Sequence, residues 1–171
     1  VDKNAHEGKK NWEVYLSLGS NLGDRIKNLG YAIDKINGFA EVISTSHLYE
    51  SEPWKMNSAH AFINQCIGVM THMNPESFLT QIKAIEKELG RKRNPNADEY
   101  QDRVLDIDIL YFGAMIVDTD QLQIPHPQIQ NRLFVLQPMN EIASEYLHPI
   151  LNKTQSELLS NCNDQSRINR M

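Results

Sequence analysis

The sequence predicts an α+β fold, a ferredoxin-like sheet in the order β-α-β-β-α-β with helices packed on it, followed by a C-terminal hairpin and helix extension. Three observations lead there. Four segments rich in β-branched and aromatic residues read as strands. Two segments carry apolar residues at helical spacing between start and stop signals. The helices follow the first and third strands, as that order requires.

At 171 residues, with 40% hydrophobic and 23% charged side chains, the chain is expected to form a single domain over 1–171 with a sizeable core. The net charge of −5 gives no basic field for nucleic acid. No apolar run approaches membrane-spanning length, so no membrane partner is expected. Cys66 and Cys162 are far apart, which argues against a disulfide framework or a zinc site and suits a reducing cytoplasm. A monomer is expected over an oligomer.

Residues 1–11 are polar and aperiodic and read as a mobile leader. The first strand covers 13–18. Gly19-Ser20-Asn21-Leu22-Gly23-Asp24 is a tight turn, which could bring backbone N–H groups to a phosphate or be only a turn. It opens a helix with the apolar stripe Ile26, Leu29, Ile33 and Ile36, stopped by Asn37-Gly38. A second strand is expected over 41–49, then a loop over 50–59 in which Trp54 either folds back on the core or forms a lid. The third strand, 61–71, puts Ile63, Ile67 and Val69 on one face and Phe62, Asn64 and Cys66 on the other. A ring and an amide on one face could stack on and bond a flat heterocycle.

Asn74-Pro75-Glu76 supplies a cap, a proline and an acid for the next helix, with Phe78, Leu79, Ile82, Ile85 and Leu89 inward and Gly90 at its end. The basic triplet Arg91-Lys92-Arg93 and an irregular segment to Asp102 lead into the strand 103–112. There Leu105, Ile107, Ile109 and Tyr111 are expected on one face and Asp106 and Asp108 on the other. The two aspartates stand roughly 6.5–7 Å apart along the strand. Like charges that close repel unless a cation lies between them, so the pair is a candidate site for a divalent metal such as Mg²⁺, with substrate phosphates completing its shell. Arginines beside such a pair could grip those phosphates. A hairpin through Asp118 and Asp120 to Gln123-Ile124 follows. Pro125-His126-Pro127 then holds His126 rigidly. A short helix that begins with Asn131-Arg132-Leu133-Phe134 is expected to be interrupted at Pro138, and the polar stretch 152–171 reads as a weakly packed, mobile tail.

Gly19-Ser20-Asn21-Leu22-Gly23, Arg91-x-Arg93, Arg103-x-x-Asp106-Ile107-Asp108-Ile109-Leu110 and Pro125-His126-(x)₅-Arg132-Leu133-Phe134 together resemble the 6-hydroxymethyl-7,8-dihydropterin pyrophosphokinases. The resemblance runs from about Val14 to Ile142, with the motifs in family order. It implies a ferredoxin-like fold and the transfer of pyrophosphate from ATP to the hydroxymethyl group of the pterin in folate biosynthesis, releasing AMP. Asp106 and Asp108 would hold two Mg²⁺, and Arg91, Arg93 and Arg103 would steady the phosphates. Glu86, Arg91, Ile109, His126 and Arg132 would bind ATP. Ser51 and Asn64 would bond the pterin edge, Phe62 and Phe134 would sandwich its ring, and Trp54 and Tyr100 would complete its site. The chain departs from the family at Gln101 and Asp102, where a small residue and a proline are common, and at Pro127 and Gln130. Two other readings compete: a different D-x-D transferase, and a non-enzymatic ferredoxin-like module that binds nucleotide or metal.

Overall fold

The computed structural model describes residues 10–90 and 101–171. The first strand, β1 (Trp12–Ser20), runs into the 19–24 turn, and Asp24 caps α1 (Arg25–Ile36) by accepting from the Lys27 N–H. Leu29, Ala32 and Ile36 are buried, but Ile26 is 48% exposed, because burial of this helix begins one turn later than the stripe implied. The turn's own polar groups hold neighbouring chain: Asn21 N–H donates to the Arg103 carbonyl at 3.0 Å. The structure thus uses this glycine turn to tie the end of β1 to the chain at Arg103.

The expected second strand is two, β2 (Glu41–Thr45) and β3 (Tyr49–Ser51). Between them Ser46 turns its hydroxyl to the Cys66 N–H at 3.0 Å, and the His47 N–H goes to Glu141. Side chains there satisfy groups that a continuous ladder would otherwise pair. The long strand β4 (Phe62–Thr71) is central, antiparallel to β1 on one side and to both β2 and β3 on the other. Helix α2 (Pro75–Glu88) begins with the expected Asn74 cap, whose side chain accepts from Ser77 N–H at 2.8 Å. The next strand, β5 (Asp106–Phe112), pairs with β1, and β6 (Val117–Asp118) with β7 (Gln123–Ile124) forms the expected hairpin.

One core layer joins Val14, Leu16, Leu18, Ile63, Ile67, Val69, Ile107 and Ile109 to α1 and α2. A second layer, on the other face, packs Tyr15, Cys66, Leu110 and Tyr111 under the third helix, α3 (Leu133–Ala143). Tyr111 therefore leaves the face shared by Ile107 and Ile109. The β1–β5 register slips between Tyr15 and Leu16, so Leu110 and Tyr111 are successive residues on one side of a bulge. Alternation is true up to the aspartates and fails only past them.

Helix α3 does not break at Pro138. Its buried face of Val135, Leu136, Pro138 and Met139 lies in this second layer, and burying that face outweighs the one backbone bond that proline removes. The stretch read as a loose tail is built in as well. Thr154 and Glu157 form a capping box for α4 (Gln155–Ser160), Leu158 is buried, and β8 (Ile168–Arg170) adds a strand beside β3. The outcome is a mixed α/β structure whose main sheet is antiparallel in the order β5-β1-β4-β3-β8, with β2 also against β4.

Candidate active site

Register builds the site. Across the sheet Asp106 pairs with Gly19, and Gly19 with Asn64 on its other side; one step along, Asp108 pairs with Ser17. Directly opposed residues project to the same face, so the carboxylate of Asp106 and the amide of Asn64 flank a residue with no side chain. A Cβ at Gly19 would stand 3.3 Å from Asn64 Oδ1 and 3.7 Å from the Phe62 ring. The glycine keeps open the floor of a pocket walled by Ser51, Trp54, Phe62, Asn64, Arg132 and Phe134, with Arg103, Asp106 and Asp108 at one end. Asn64 is 2% exposed and donates to Ser51 Oγ at 2.8 Å, which fixes its amide orientation. Trp54 lies edge-on to Phe134, ring centres 6.2 Å apart, with the Arg132 guanidinium 4.8 Å over its ring. It belongs to the pocket wall.

A second cleft opens on the far side of Asp108, lined by Lys83, Glu86, Ile107, Ile109, Gln123 and His126 among others. Asp108 borders both spaces. Its Oδ2 accepts from Arg132 Nη1 at 3.1 Å and faces His126 Nε2 at 3.7 Å, while Asp106 Oδ2 accepts from Arg103 Nη1 at 2.5 Å. His126 Nδ1 accepts from the Gln128 N–H at 3.1 Å, so the neutral ring carries its proton on Nε2, toward Asp108. Burial holds the His126 pKa below its ordinary value; the Asp108 charge opposes that shift and Arg132 adds to it.

Glu86, expected with the nucleotide, also has a partner on the strand. Its side chain is buried and Oε1 accepts from the Ile107 N–H at 2.9 Å, so it holds the backbone between the two aspartates while bordering the second cleft. Arg132, expected with ATP, lies in the pocket with Asn64 and bonds Asp108. Arg91, Arg93 and Tyr100 lie outside the described residues. Gly19 and Ser17 were missed as site residues, although alternation along β1 set them opposite the aspartates. Lys83 was missed too, although it lies one turn from Glu86 on the same helix face.

The donor set suits Mg²⁺. Two half-buried carboxylates on a rigid strand are hard oxygen ligands. Among the described residues there is no group of three or more His, Cys, Asp or Glu that could hold a metal alone. Phosphate oxygens of a substrate are ligands of the same hard type and could complete the shell. No helix among the described residues is long and apolar enough to cross a membrane.

Residues 15–144 match the family model described as 7,8-dihydro-6-hydroxymethylpterin-pyrophosphokinase. A 2-amino-4-hydroxy-6-hydroxymethyldihydropteridine pyrophosphokinase of Porphyromonas gingivalis is 41% identical over 138 residues, 80% of this chain and 93% of that protein. The folic acid synthesis protein fol1 of Pneumocystis carinii is 42% identical over 142 residues, 82% of this chain but 19% of that much longer protein. The chain thus spans nearly all of one relative and about a fifth of the other. Among solved structures, a Plasmodium falciparum HPPK-DHPS with pterin and p-hydroxybenzoate superposes with a TM-score of 0.71 at 20% identity, covering 91% of this chain and 42% of that one. At that identity the likeness concerns the fold alone.

Proposed function

The chain belongs to the 7,8-dihydro-6-hydroxymethylpterin-pyrophosphokinase family, and from that premise we propose that it transfers pyrophosphate from ATP to 6-hydroxymethyl-7,8-dihydropterin in folate biosynthesis. The hydroxymethyl oxygen attacks the β-phosphorus of ATP. The new O–P bond replaces the bond to the α,β-bridging oxygen, AMP leaves, and the hydroxyl proton is released.

One observation carries the reading: Asp108 borders both the aromatic-walled pocket and the second cleft, so a heterocycle in one and a nucleotide in the other would meet at the aspartate pair. The pterin takes the first space, its edge against Asn64 and Ser51 and its ring between Phe62 and Phe134, with Trp54 and Tyr100 as the further residues of its site. ATP takes the second, along Glu86, Ile109 and His126. Arg91, Arg93, Arg103 and Arg132 steady its phosphates as charge shifts toward the leaving group. Asp106 and Asp108 would hold two Mg²⁺, which when bound neutralise phosphate charge. Closing loops over both substrates keeps water from competing as acceptor. The sheet order β5-β1-β4-β3, all antiparallel, supports the ferredoxin-like assignment, and the free thiols of Cys66 and Cys162 support a reducing cytoplasm.

The test is AMP release from ATP and Mg²⁺ with and without the pterin, beside Asp106→Ala. AMP that needs the pterin and falls at least roughly a hundredfold in the variant is the expected result. A folded protein that forms no pterin-dependent AMP would remove the assignment and leave a nucleotide- or metal-binding module.

A further inference from the structure

The segment between α4 and β8 reaches both walls of the first pocket. Asp164 Oδ2 accepts from the Leu133 N–H at 2.9 Å, and its Oδ1 accepts from the Ser166 N–H at 3.0 Å. Arg132, the residue that precedes α3, makes no capping bond with its own side chain. A carboxylate 31 positions downstream therefore does what a cap residue does, taking an orphan N–H and placing negative charge at the positive end of the helix. The peptide it grips joins Arg132 to Leu133, and Phe134 comes next. Three residues beyond Asp164, the Glu52 N–H donates to the Arg167 carbonyl at 3.3 Å and the Arg167 N–H to Glu52 Oε2 at 3.3 Å. Ile168 then pairs with Ser51.

We infer that Asp164 is a positioning residue for the pterin, fixing Arg132 and Phe134 on one wall while the chain it belongs to fixes Ser51 on the other. The inference rests on the reading of this pocket as the pterin site. A cap of purely structural worth would lower stability and leave substrate discrimination alone. A positioning residue must change the affinity for the substrate whose wall it holds. The second cleft contains neither Arg132 nor Phe134, so nucleotide, which meets the gripped segment only through the Arg132 side chain, should lose less affinity than pterin.

The experiment compares Asp164→Ala with Asp164→Asn, whose amide oxygen can still accept from Leu133 N–H. KM for pterin and for ATP are measured separately, and circular dichroism confirms the fold of each variant. The alanine variant is expected to raise the pterin KM roughly five- to tenfold and to leave the ATP KM within roughly twofold, and the asparagine variant to restore the first. An unchanged pterin KM, an equal rise for both substrates, or no rescue by asparagine would overturn the inference. Leu133 amide exchange separates this from failure of the pterin reading. Were the wild-type protein to form no pterin-dependent AMP, faster exchange in alanine and its recovery in asparagine would still support the tether, and unchanged exchange would overturn it.

Discussion

Replacing Glu86 by alanine tests how the aspartate pair is held. Its carboxylate takes the N–H of Ile107, a residue 5% exposed that lies between Asp106 and Asp108. A hydrogen bond to a charged group contributes about 1.5–3 kcal/mol net, and a buried donor left without a partner costs a similar amount. Taking about 2–3 kcal/mol for the loss, and about 2–4 °C per kcal/mol in a protein of this size, Glu86→Ala should lower Tm by about 4–12 °C. Glu86→Gln keeps an acceptor but loses the charge, roughly half the strength, so its Tm should fall by about 2–6 °C. Freed of its anchor, the strand carrying the two carboxylates shifts, and a displacement on the order of 1 Å is worth up to about a hundredfold in rate. Thermal melts followed by far-ultraviolet circular dichroism give the first quantity, and AMP formation titrated with Mg²⁺ gives the second. An alanine variant that melts with the wild type and shows the same Mg²⁺ dependence would refute the anchoring role, because Ile107 N–H would then have another adequate partner.

Two further outcomes follow from the geometry. His148 is buried edge-on to Tyr111, and its Nδ1 accepts from the Ile150 and Leu151 N–H groups, each at 3.2 Å; burial holds its pKa below the ordinary value. The unfolded chain therefore takes up the proton first, near the ordinary value of about 6.5, so this stabilisation is present above that pH and is lost as pH falls. Tm should drop between pH 7.5 and 5.5 more steeply in the wild type than in His148→Asn, and parallel profiles would contradict the assignment. Arg132→Lys keeps the charge beside Asp108 but loses the planar stack on Trp54, 4.8 Å away. It should lower kcat/KM roughly tenfold and change Trp54 fluorescence, while identical kinetics and emission would show that the stack is idle.

The legible parts of this protein were those governed by neighbours in sequence. Asp106 and Asp108 share a face because a strand alternates, and Asn74, Pro75 and Asp24 mark helix starts through bonds made within one turn. What escaped depends on distant chain. No local signal says that Glu86 will meet Ile107, or that β8 will pair with β3. The bulge that turns Tyr111 over is decided jointly by two strands. The polar stretch after Leu151 did carry one readable sign, Thr154 and Glu157 at capping-box spacing, which composition overrode. Asp164 gave no such sign, since its partner Leu133 is remote along the chain.

On the proposed assignment of the two spaces, Asp108, which borders both and is held by Arg132, would also make the two binding events thermodynamically interdependent. Whichever substrate arrives first alters the charge balance around a carboxylate that the second must also meet. Linkage then demands reciprocity: the factor by which nucleotide changes pterin affinity equals the factor by which pterin changes nucleotide affinity. Both orders of addition close on the same ternary free energy, so a preference for one order reflects the relative stability of the two binary complexes and the rates at which they form.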